Sequence, residues 1–460
     1  MHENKTVYFV FGATLLTILI FFSLFGYLHK GWVFTVDGEG YYMMGRSLYF
    51  DHDFDYRNDI LLTPHPEMYA ELIKSHGEED GFIFHFAWPI GYALLSQPFF
   101  FFSDVLTSVS NSALGMSLPV DGYRGIYSFL VPLGAIVYGL IGMYLAYRIL
   151  CAFHNKAVSA ISINTVILSS SLLWYIAGNV TMSHIYSFTA VTAMIYLTVP
   201  LFKSDFFEPT TIRLAGIGFF MSLAIMVRLQ NAVFILIPLS ALARYVYIVL
   251  KKEGSGSLRN VIYKVFIFTL SAVVTFMPQM LYWKTYHSHW LFNPYSGIMG
   301  SSFMFSNLKI VETLFSTNHG LFLWNPITLI SCIGIVLLFT KAKEHFIFLL
   351  TLSLCFIFNL YLVASYFDYS LANSFGNRGF DGSTLFFALG FSEIIDRIWH
   401  RQFLLTILCS ALIIWNIQLL VQQRYLGWLP FNGEVPYMQV FENYKRLPDE
   451  LNRIRAKYFS

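Results

Sequence analysis

The sequence predicts an all-α membrane protein that crosses the bilayer repeatedly, as a bundle of about 11–13 transmembrane helices with a long first outer loop. Of its 460 residues, 56% are apolar and only 12% are charged, whereas about a quarter of the residues in a soluble domain are charged. Apolar runs of about 20 residues, the length that crosses a bilayer, recur along most of the chain. Aromatic residues make up 18% of the chain, which suits belts of Tyr and Trp at the membrane surfaces. A soluble enzyme with a single anchor is therefore excluded.

The chain opens with an apolar run at Val7–Leu28. Lys5 is the only Lys or Arg before it, and no small-residue cleavage site follows, so we predict a retained signal-anchor. Residues 29–88 then form a polar segment with eleven acids and four Lys or Arg. The shortage of basic residues predicts that this first long loop lies on the non-cytoplasmic side.

Further apolar runs predict the rest of the bundle. The run Phe86–Phe102 is short and interrupted by Pro89 and Pro98, so we predict that it is re-entrant rather than spanning. Basic residues cluster at alternate connections, which places the poorly basic ones outside, including a second long loop at 284–318. The remaining runs lie at about 126–147, 157–177, 184–202, 212–227, 231–249, 260–282, 319–340, 345–366, 380–395 and 402–421.

Composition also bounds the domains, partners and cofactors. Residues 1–421 are assigned to one polytopic domain and 422–460 to a short C-terminal tail. A net charge of +2 argues against a nucleic-acid partner. The histidines form no ligand pattern, so no cofactor is predicted; a divalent metal is possible but unsupported. The four cysteines lie in or beside apolar runs and are predicted to be core residues; they are Cys151, Cys332, Cys355 and Cys409.

The first candidate group is a pair of acids, Asp37 and Glu39, which lie between glycines just after the first apolar run. A carboxylate at the membrane surface can act as a general base and remove a proton from an acceptor hydroxyl. Asp is also a preferred N-terminal cap, so Asp37 could simply begin the following helix. The spacing alone favours neither interpretation.

A second group begins the run at Phe86, where His85 precedes a Trp-Pro-Ile-Gly-Tyr sequence that ends at Tyr92. A Pro-Gly entry to an apolar helix beside a His and aromatic residues can form a pocket at the interface. A plain helix start, with Pro near its first turn, explains the same residues and is the favoured interpretation on physical grounds.

Cationic and polar residues lie at the ends of later apolar runs. Arg228 sits between two runs with almost no loop, where it can bind a lipid phosphate or extend to the membrane surface. His319 opens another run. Asn377 and Arg378 lie between Gly376 and Gly379, where the backbone can approach a ligand closely. The guanidinium of Arg378 can make two-pronged contact with a phosphate.

An alternative for Arg378 is an ion pair with Asp381 or Asp368 at a helix end. Taken together, however, the candidates place acids in one outer loop and cations at several outer helix ends. This combination suits transfer from a phosphate-bearing lipid, because the acid activates the acceptor and the cations hold the leaving phosphate.

The order of these features resembles the GT-C superfamily of membrane glycosyltransferases, which includes the protein O-mannosyltransferases and the lipid A aminoarabinose transferase. The resemblance rests on an acid in the first outer loop, a Pro-x-Gly-Tyr helix start, a hairpin Arg and a late Phe-Gly-Asn-Arg. It covers nearly the whole chain. Two departures stand out: Gly38 separates the acids, and Phe86, Ala87 and Trp88 replace the Glu-Lys and first Pro of the aminoarabinose transferases.

The resemblance implies a GT-C-like bundle and a glycosyltransferase of hexosyl or pentosyl type. The donor would be a sugar on a polyprenyl or dolichyl phosphate, and the acceptor a glycan, lipid or protein on the non-cytoplasmic face. Asp37 would be the base of a single inverting displacement, and Glu39 would position sugar or acceptor. Arg378, with Arg228 and His319, would hold the phosphate. A bacterial inner membrane, with the site on the periplasmic face, is the expected location.

Two rival functions are a transporter or lipid flippase, and a structural subunit without catalysis. A transporter predicts charged residues in mid-span that face a pathway. Nearly all charges of this chain lie at the ends of its apolar runs, which favours chemistry at the membrane surface.

Overall fold

The computed structural model describes residues 2–28, 36–63, 66, 88–202, 207–294, 303–371 and 373–458. These ranges contain no β-strand and one isolated bridge, between Phe303 and Tyr366, so the predicted all-α class is confirmed. The first half comprises α1 (His2–Leu28), α2 (Val36–Phe50), α3 (Arg57–Leu62), α4 (Gly91–Leu114), α5 (Tyr127–Leu150), α6 (Lys156–Leu168), α7 (Leu172–Ala177), α8 (His184–Thr198), α9 (Thr211–Val227) and α10 (Leu236–Glu253).

The second half comprises α11 (Leu258–His287), α12 (Ile310–Phe315), α13 (Leu321–Trp324), α14 (Pro326–Lys341), α15 (Phe346–Ser365), α16 (Thr384–Arg397), α17 (Gln402–Leu420), α18 (Gln439–Glu442) and α19 (Leu447–Tyr458). Short 3-10 turns at Leu229–Ile235 and Arg378–Ser383 connect long helices, and a π-turn at Val421–Tyr425 extends α17.

Seven segments of the described chain are long and apolar enough to cross a membrane, which makes the protein an integral membrane protein. Three shorter apolar helices, α6, α9 and α14, lie among them. The seven are Glu3–Phe25, Tyr127–Leu150, His184–Phe202, Leu229–Lys252, Leu258–His287, Lys343–Ser365 and Gln402–Tyr425.

Within the described ranges, the seven candidate spans and the three shorter apolar helices come to ten. The predicted number of about 11–13 crossings stays a prediction. The predicted run at 157–177 is not one helix, because Ser169–Ser171 separates α6 from α7. The run predicted at 380–395 forms a 14-residue α16 preceded by the 3-10 turn.

Glycines let the helices of the bundle approach closely. A side-chain carbon added at Gly334 of α14 would lie 1.9 Å from the carbonyl oxygen of Gly390 in α16. These two helices run parallel and in direct backbone contact, as small residues allow in membrane helix packing. In the same way, a side-chain carbon added at Gly218 of α9 would lie 2.4 Å from the carbonyl oxygen of Phe268 in α11.

Helix α4 is not among the candidate spans, although it is 24 residues long. It runs antiparallel to the first half of α5, since Tyr138 Oη donates to Leu95 O at 3.0 Å and Tyr127 Oη to Asp104 Oδ1 at 2.6 Å. Its first residue, Gly91, lies against the backbone at the end of α9. The start of α4 therefore lies beside the middle of α5, and its later part lies beside the start of α5. The prediction that 86–102 is re-entrant falls partly on residues 86 and 87, which lie outside the described ranges.

A group of basic residues at helix ends gathers at the opposite end of the bundle. There Lys341 Nζ lies 2.5 Å from Asp396 Oδ2, and Phe153 packs on His345 with ring centroids 4.5 Å apart. Arg397 and Arg401 border the turn between α16 and α17. From the positive-inside rule we expect this to be the cytoplasmic end.

Candidate functional site

A cavity of about 1120 Å³ opens at the end of the bundle away from the basic residues. The starts of α2 and of the 378–383 turn and the ends of α9, α11, α15 and α17 surround it. Its wall divides into a charged part and an aromatic part. The charged lining residues are Asp37, Arg228, Asp368, Arg378 and Arg424; the aromatic ones include Trp88, Phe276, Trp283, Phe292, Phe303 and Tyr366.

Asp37 and Arg378 meet in this cavity. Arg378 Nη1 lies 3.4 Å from Asp37 Oδ2, although 341 positions separate the two residues. The Asp37 side chain is 41% exposed and that of Arg378 is 19% exposed. Asp37 lies in the first turn of α2, which begins at Val36, so its carboxylate is free of the capping position and faces the cavity.

A buried network at the other end of α2 fixes the helix that carries Asp37. Arg46 Nε donates to Asp121 O at 3.1 Å, and Nη1 lies 3.1 Å from Asp59 Oδ1. Tyr123 Oη donates to the same Asp59 oxygen at 3.1 Å. Arg46 also pairs with Asp51. Because Asp59 is fully buried, burial raises its pKa to about 7.

Amide side chains hold the backbone on both sides of Arg378. Gln230 Nε2 and Asn359 Nδ2 both donate to Gly379 O, at 2.8 and 3.0 Å. Asn377 is buried; its Oδ1 accepts from Gly379 N at 3.2 Å and its Nδ2 donates to Tyr369 O at 3.1 Å. Asn377 thus shapes the turn and does not line the cavity. Gly376 adopts φ +60°, a conformation that favours glycine.

Arg228 lines the cavity from the end of α9. Its Nη2 donates to Gln230 Oε1 at 3.0 Å. Its Nη1 lies 3.1 Å from Nδ1 and 3.2 Å from Nε2 of the buried His184. His184 Nδ1 in turn lies 2.7 Å from Asp381 Oδ2. The alternative in which Asp381 pairs with Arg378 is therefore not what the structure has: Asp381 contacts His184, and Arg378 pairs with Asp37.

Arg424 is a third cavity arginine that the sequence reasoning missed, since 422–460 was assigned to a tail. The guanidinium lies between the rings of Trp174 and Phe431, 5.0 and 4.8 Å from their centroids. Nη2 donates to Asn373 O at 2.6 Å. The signal that could have found it is the one that selected Arg228: a cation at the end of an apolar run on the outer side.

Three other predicted residues do not line the cavity, and a fourth lies outside the described residues. Glu39 is 1% exposed and sits within the bundle. Tyr92 is buried behind Tyr41, with ring centroids 5.5 Å apart. His319 is buried, with Nε2 3.0 Å from Phe431 O and its ring on Trp324. His85 lies outside the described residues.

One group of side chains in the described chain has metal-ligand chemistry. Ligand atoms of His154, Glu393 and Asp396 lie within 4.8 Å of one another, at the end of the bundle that carries Lys341 and Arg397. Lys341 Nζ lies 2.5 Å from Asp396 Oδ2 and 3.5 Å from Glu393 Oε2. A cation of the protein itself therefore already neutralises these carboxylates, far from the cavity.

The cavity combines three guanidiniums, the carboxylates of Asp37 and Asp368, and an aromatic wall. Guanidiniums bind phosphate through planar pairs of N–H donors. Aromatic and aliphatic side chains accommodate an apolar tail. Such a wall suits an amphiphilic anion, and Asp37 is placed to accept a proton from a group beside it.

Comparison with known proteins adds a similarity of fold at low identity. The chain matches no protein-family model and no curated protein. A solved structure of the archaeal oligosaccharyltransferase AglB from Archaeoglobus fulgidus, in complex with an inhibitory peptide and a dolichol-phosphate, is similar at a TM-score of 0.46 and 11% identity. The match covers 95% of this chain and 56% of that one, so the chain spans little more than half of that protein. At this level it assigns neither a family nor an activity.

Proposed function

We propose that the protein is a GT-C-type glycosyltransferase that moves a sugar from a polyprenyl or dolichyl phosphate to an acceptor on the non-cytoplasmic face. One observation carries the proposal: Asp37 and Arg378 meet at 3.4 Å in a single cavity that is charged on one side and aromatic on the other. A base beside a phosphate-binding cation is the minimum that such a transfer requires.

The proposed reaction is one displacement at the anomeric carbon. Asp37 takes the proton of the acceptor hydroxyl as that oxygen forms its bond to the anomeric carbon. The bond from this carbon to the phosphate oxygen breaks with its electron pair, and the lipid phosphate leaves. Attack from the face opposite the phosphate inverts the configuration. Charge that develops on the phosphate is stabilised by Arg228 and Arg378.

We propose that the sugar donor also breaks the ion pair between Asp37 and Arg378. Both charges of the pair are partly exposed, and a phosphate offers the guanidinium a two-pronged partner that one carboxylate oxygen at 3.4 Å does not. When a donor phosphate takes Arg378, the Asp37 carboxylate is left to accept a proton. Donor binding thus precedes activation of the acceptor.

Charge distribution supports the proposed location. The basic helix ends lie opposite the cavity, so the positive-inside rule puts the cavity on the outer side of a membrane. We place the protein in a bacterial plasma membrane, with the transfer at the periplasmic face. The aromatic side of the cavity, including Phe276 and Trp283 at the end of α11, would take the lipid chain, and the arginines its head group.

The test is transfer of radiolabelled sugar from polyprenyl-phosphate sugars to membrane extract by purified wild-type protein and the Asp37→Asn variant. Removing a general base costs about 10²- to 10⁴-fold, so Asp37→Asn is expected to lose at least about 100-fold in rate at wild-type expression. Asp55→Asn is the matched control, because Asp55 pairs with Arg57 on the loop before α3 and lies off the cavity. Equal transfer by wild type and Asp37→Asn would contradict the mechanism.

A further inference from the structure

A chain of buried polar groups runs from the core of the bundle to the cavity. Ser171 Oγ donates to Asp381 Oδ1 at 2.8 Å, and Asp381 Oδ2 lies 2.7 Å from His184 Nδ1. Asp381 is 4% exposed and His184 is 0% exposed. The ring of Tyr175 stacks on His184 with centroids 3.9 Å apart, which fixes the plane of the imidazole. Burial of a carboxyl and an imidazole costs free energy unless the two groups are paired. We therefore expect this pair to play a part at the cavity.

Arg228 connects this series of buried polar groups to the cavity. An arginine only donates hydrogen bonds, whereas a neutral imidazole offers one lone pair and one N–H. Nε2 of the imidazole can therefore accept from Arg228 Nη1 at 3.2 Å, while Nδ1 lies 2.7 Å from Asp381 Oδ2. Neither Asp381 nor His184 lines the cavity, but Arg228 does. The pair acts on the cavity through the arginine.

A second set of contacts closes the chain into a ring. Arg228 Nη2 donates to Gln230 Oε1 at 3.0 Å, and Gln230 Nε2 donates to Gly379 O at 2.8 Å. Gly379 and Asp381 belong to the same 3-10 turn, which begins with Arg378. The ring thus returns through Asp381 and His184 to Arg228. Two arginines from distant parts of the chain are tied together behind the cavity wall.

We propose that Asp381 and His184 are positioning residues that hold the guanidiniums of Arg228 and Arg378 at the separation which a lipid phosphate requires. This inference rests on the proposed function. Donors that are fixed in advance stabilise charge in a transition state without reorganising. In this role the pair touches neither sugar nor acceptor; it sets where the phosphate sits, and through the phosphate where the anomeric carbon meets Asp37.

The experiment compares His184→Phe with His184→Asn. Phenylalanine keeps the stack on Tyr175 but removes both nitrogens, whereas asparagine restores one donor and one acceptor. Each protein is purified, and its affinity is measured for a short-chain isoprenyl phosphate and for the isoprenol of the same length. The value of kcat/KM with a polyprenyl-phosphate sugar is then measured. His154→Phe, a buried histidine at the cytoplasmic end, is the matched control.

His184→Phe is expected to bind the isoprenyl phosphate about 10- to 100-fold more weakly and to lose kcat/KM by about the same factor, the cost of misplacing a group by about 1 Å. Binding of the isoprenol should not change. His184→Asn should recover to within about threefold of wild type, since it restores one donor and one acceptor between Arg228 and Asp381. His154→Phe should match wild type in both measurements.

Wild-type affinity and kcat/KM in His184→Phe would overturn the positioning role and leave the proposed function standing. A wild-type protein that neither prefers the phosphate to the alcohol nor transfers sugar would overturn both. If His184→Phe does not fold, Ser171→Ala tests the positioning role instead. This variant removes one hydrogen bond from Asp381 and should weaken phosphate binding about threefold. Unchanged binding by Ser171→Ala would then reject the role.

Discussion

The carboxylate of Asp37 and the guanidinium of Arg378 show what a sequence can and cannot say about single residues. Each was a candidate because a charge beside an apolar run must lie near the membrane surface. Their contact at 3.4 Å could not be predicted, since hydropathy gives the depth of a residue but not its place in the membrane plane. The same limit explains why Asn377 and His319 were chosen and yet serve the loop around the cavity.

Arg424 leads to the first prediction at this scale. Arg424→Gln removes a guanidinium that two aromatic rings and the Asn373 carbonyl hold in place. A cation near a phosphate is worth about tenfold in affinity, so the variant should bind isoprenyl phosphate about tenfold more weakly. Arg148→Gln, at the other end of the bundle, is the control. Equal affinities in a titration would remove Arg424 from the site.

The second prediction concerns pH and the buried Asp59. Burial raises the pKa of Asp59 to about 7, whereas an unfolded Asp titrates near about 3.9. Between these values the native carboxyl is protonated and the unfolded one is not, so unfolding releases a proton. The contribution of Asp59 to the free energy of unfolding is therefore largest below about pH 4 and is lost as pH rises to about 7. In Asp59→Asn this contribution is absent.

Thermal unfolding followed by tryptophan fluorescence checks this sign. Between pH 5 and 7 the wild-type midpoint should fall more steeply than that of Asp59→Asn. Parallel curves would mean that Asp59 is already ionised in the native protein beside Arg46.

At the scale of elements, the apolar runs predicted which segments form the bundle, because burial in lipid obliges a helix to satisfy its own backbone. They did not predict where a helix breaks. The run 157–177 parts at Ser169–Ser171, and Ser171 there bonds to Asp381. The break allows a contact with an element that is distant in the sequence. The periodicity of apolar residues does not predict such a contact. The division at residue 421 stays a prediction; Arg424 and Phe431 nevertheless line the cavity.

The packing of α4 on α9 gives a third prediction. A side-chain carbon at Gly91 would lie 2.4 Å from backbone atoms of Met226 and Val227, directly before Arg228. Gly91→Val must push the helices apart, at a cost of about 1–3 kcal/mol. Both the midpoint of thermal unfolding and the transfer rate should fall.

Gly12→Ala is the control for Gly91→Val, because nothing lies within 4 Å of a side chain added there. Alanine in an exposed helix position is neutral or slightly stabilising. If Gly91→Val unfolds at the wild-type temperature, α4 can yield without strain, and its role in fixing Arg228 is wrong.

At the scale of the whole molecule, the charges divide between two ends: the lysines and arginines of the connections at one, the cavity at the other. The fourth prediction follows from this division. In intact cells, a membrane-impermeant maleimide should label Ser117→Cys, on the loop after α4. It should label His400→Cys, between α16 and α17, only after permeabilisation. Both positions are exposed. The reverse labelling would put the cavity in the cytoplasm.

The most direct measurement is an experimental structure of the protein with a bound polyprenyl phosphate. The account predicts the phosphate inside the cavity, within about 3 Å of nitrogen atoms of both Arg228 and Arg378, the lipid chain along the aromatic wall, and Asp37 no longer paired with Arg378. A phosphate bound outside the cavity, or inside it with Asp37 and Arg378 still paired, would contradict the proposal that this pair performs the transfer.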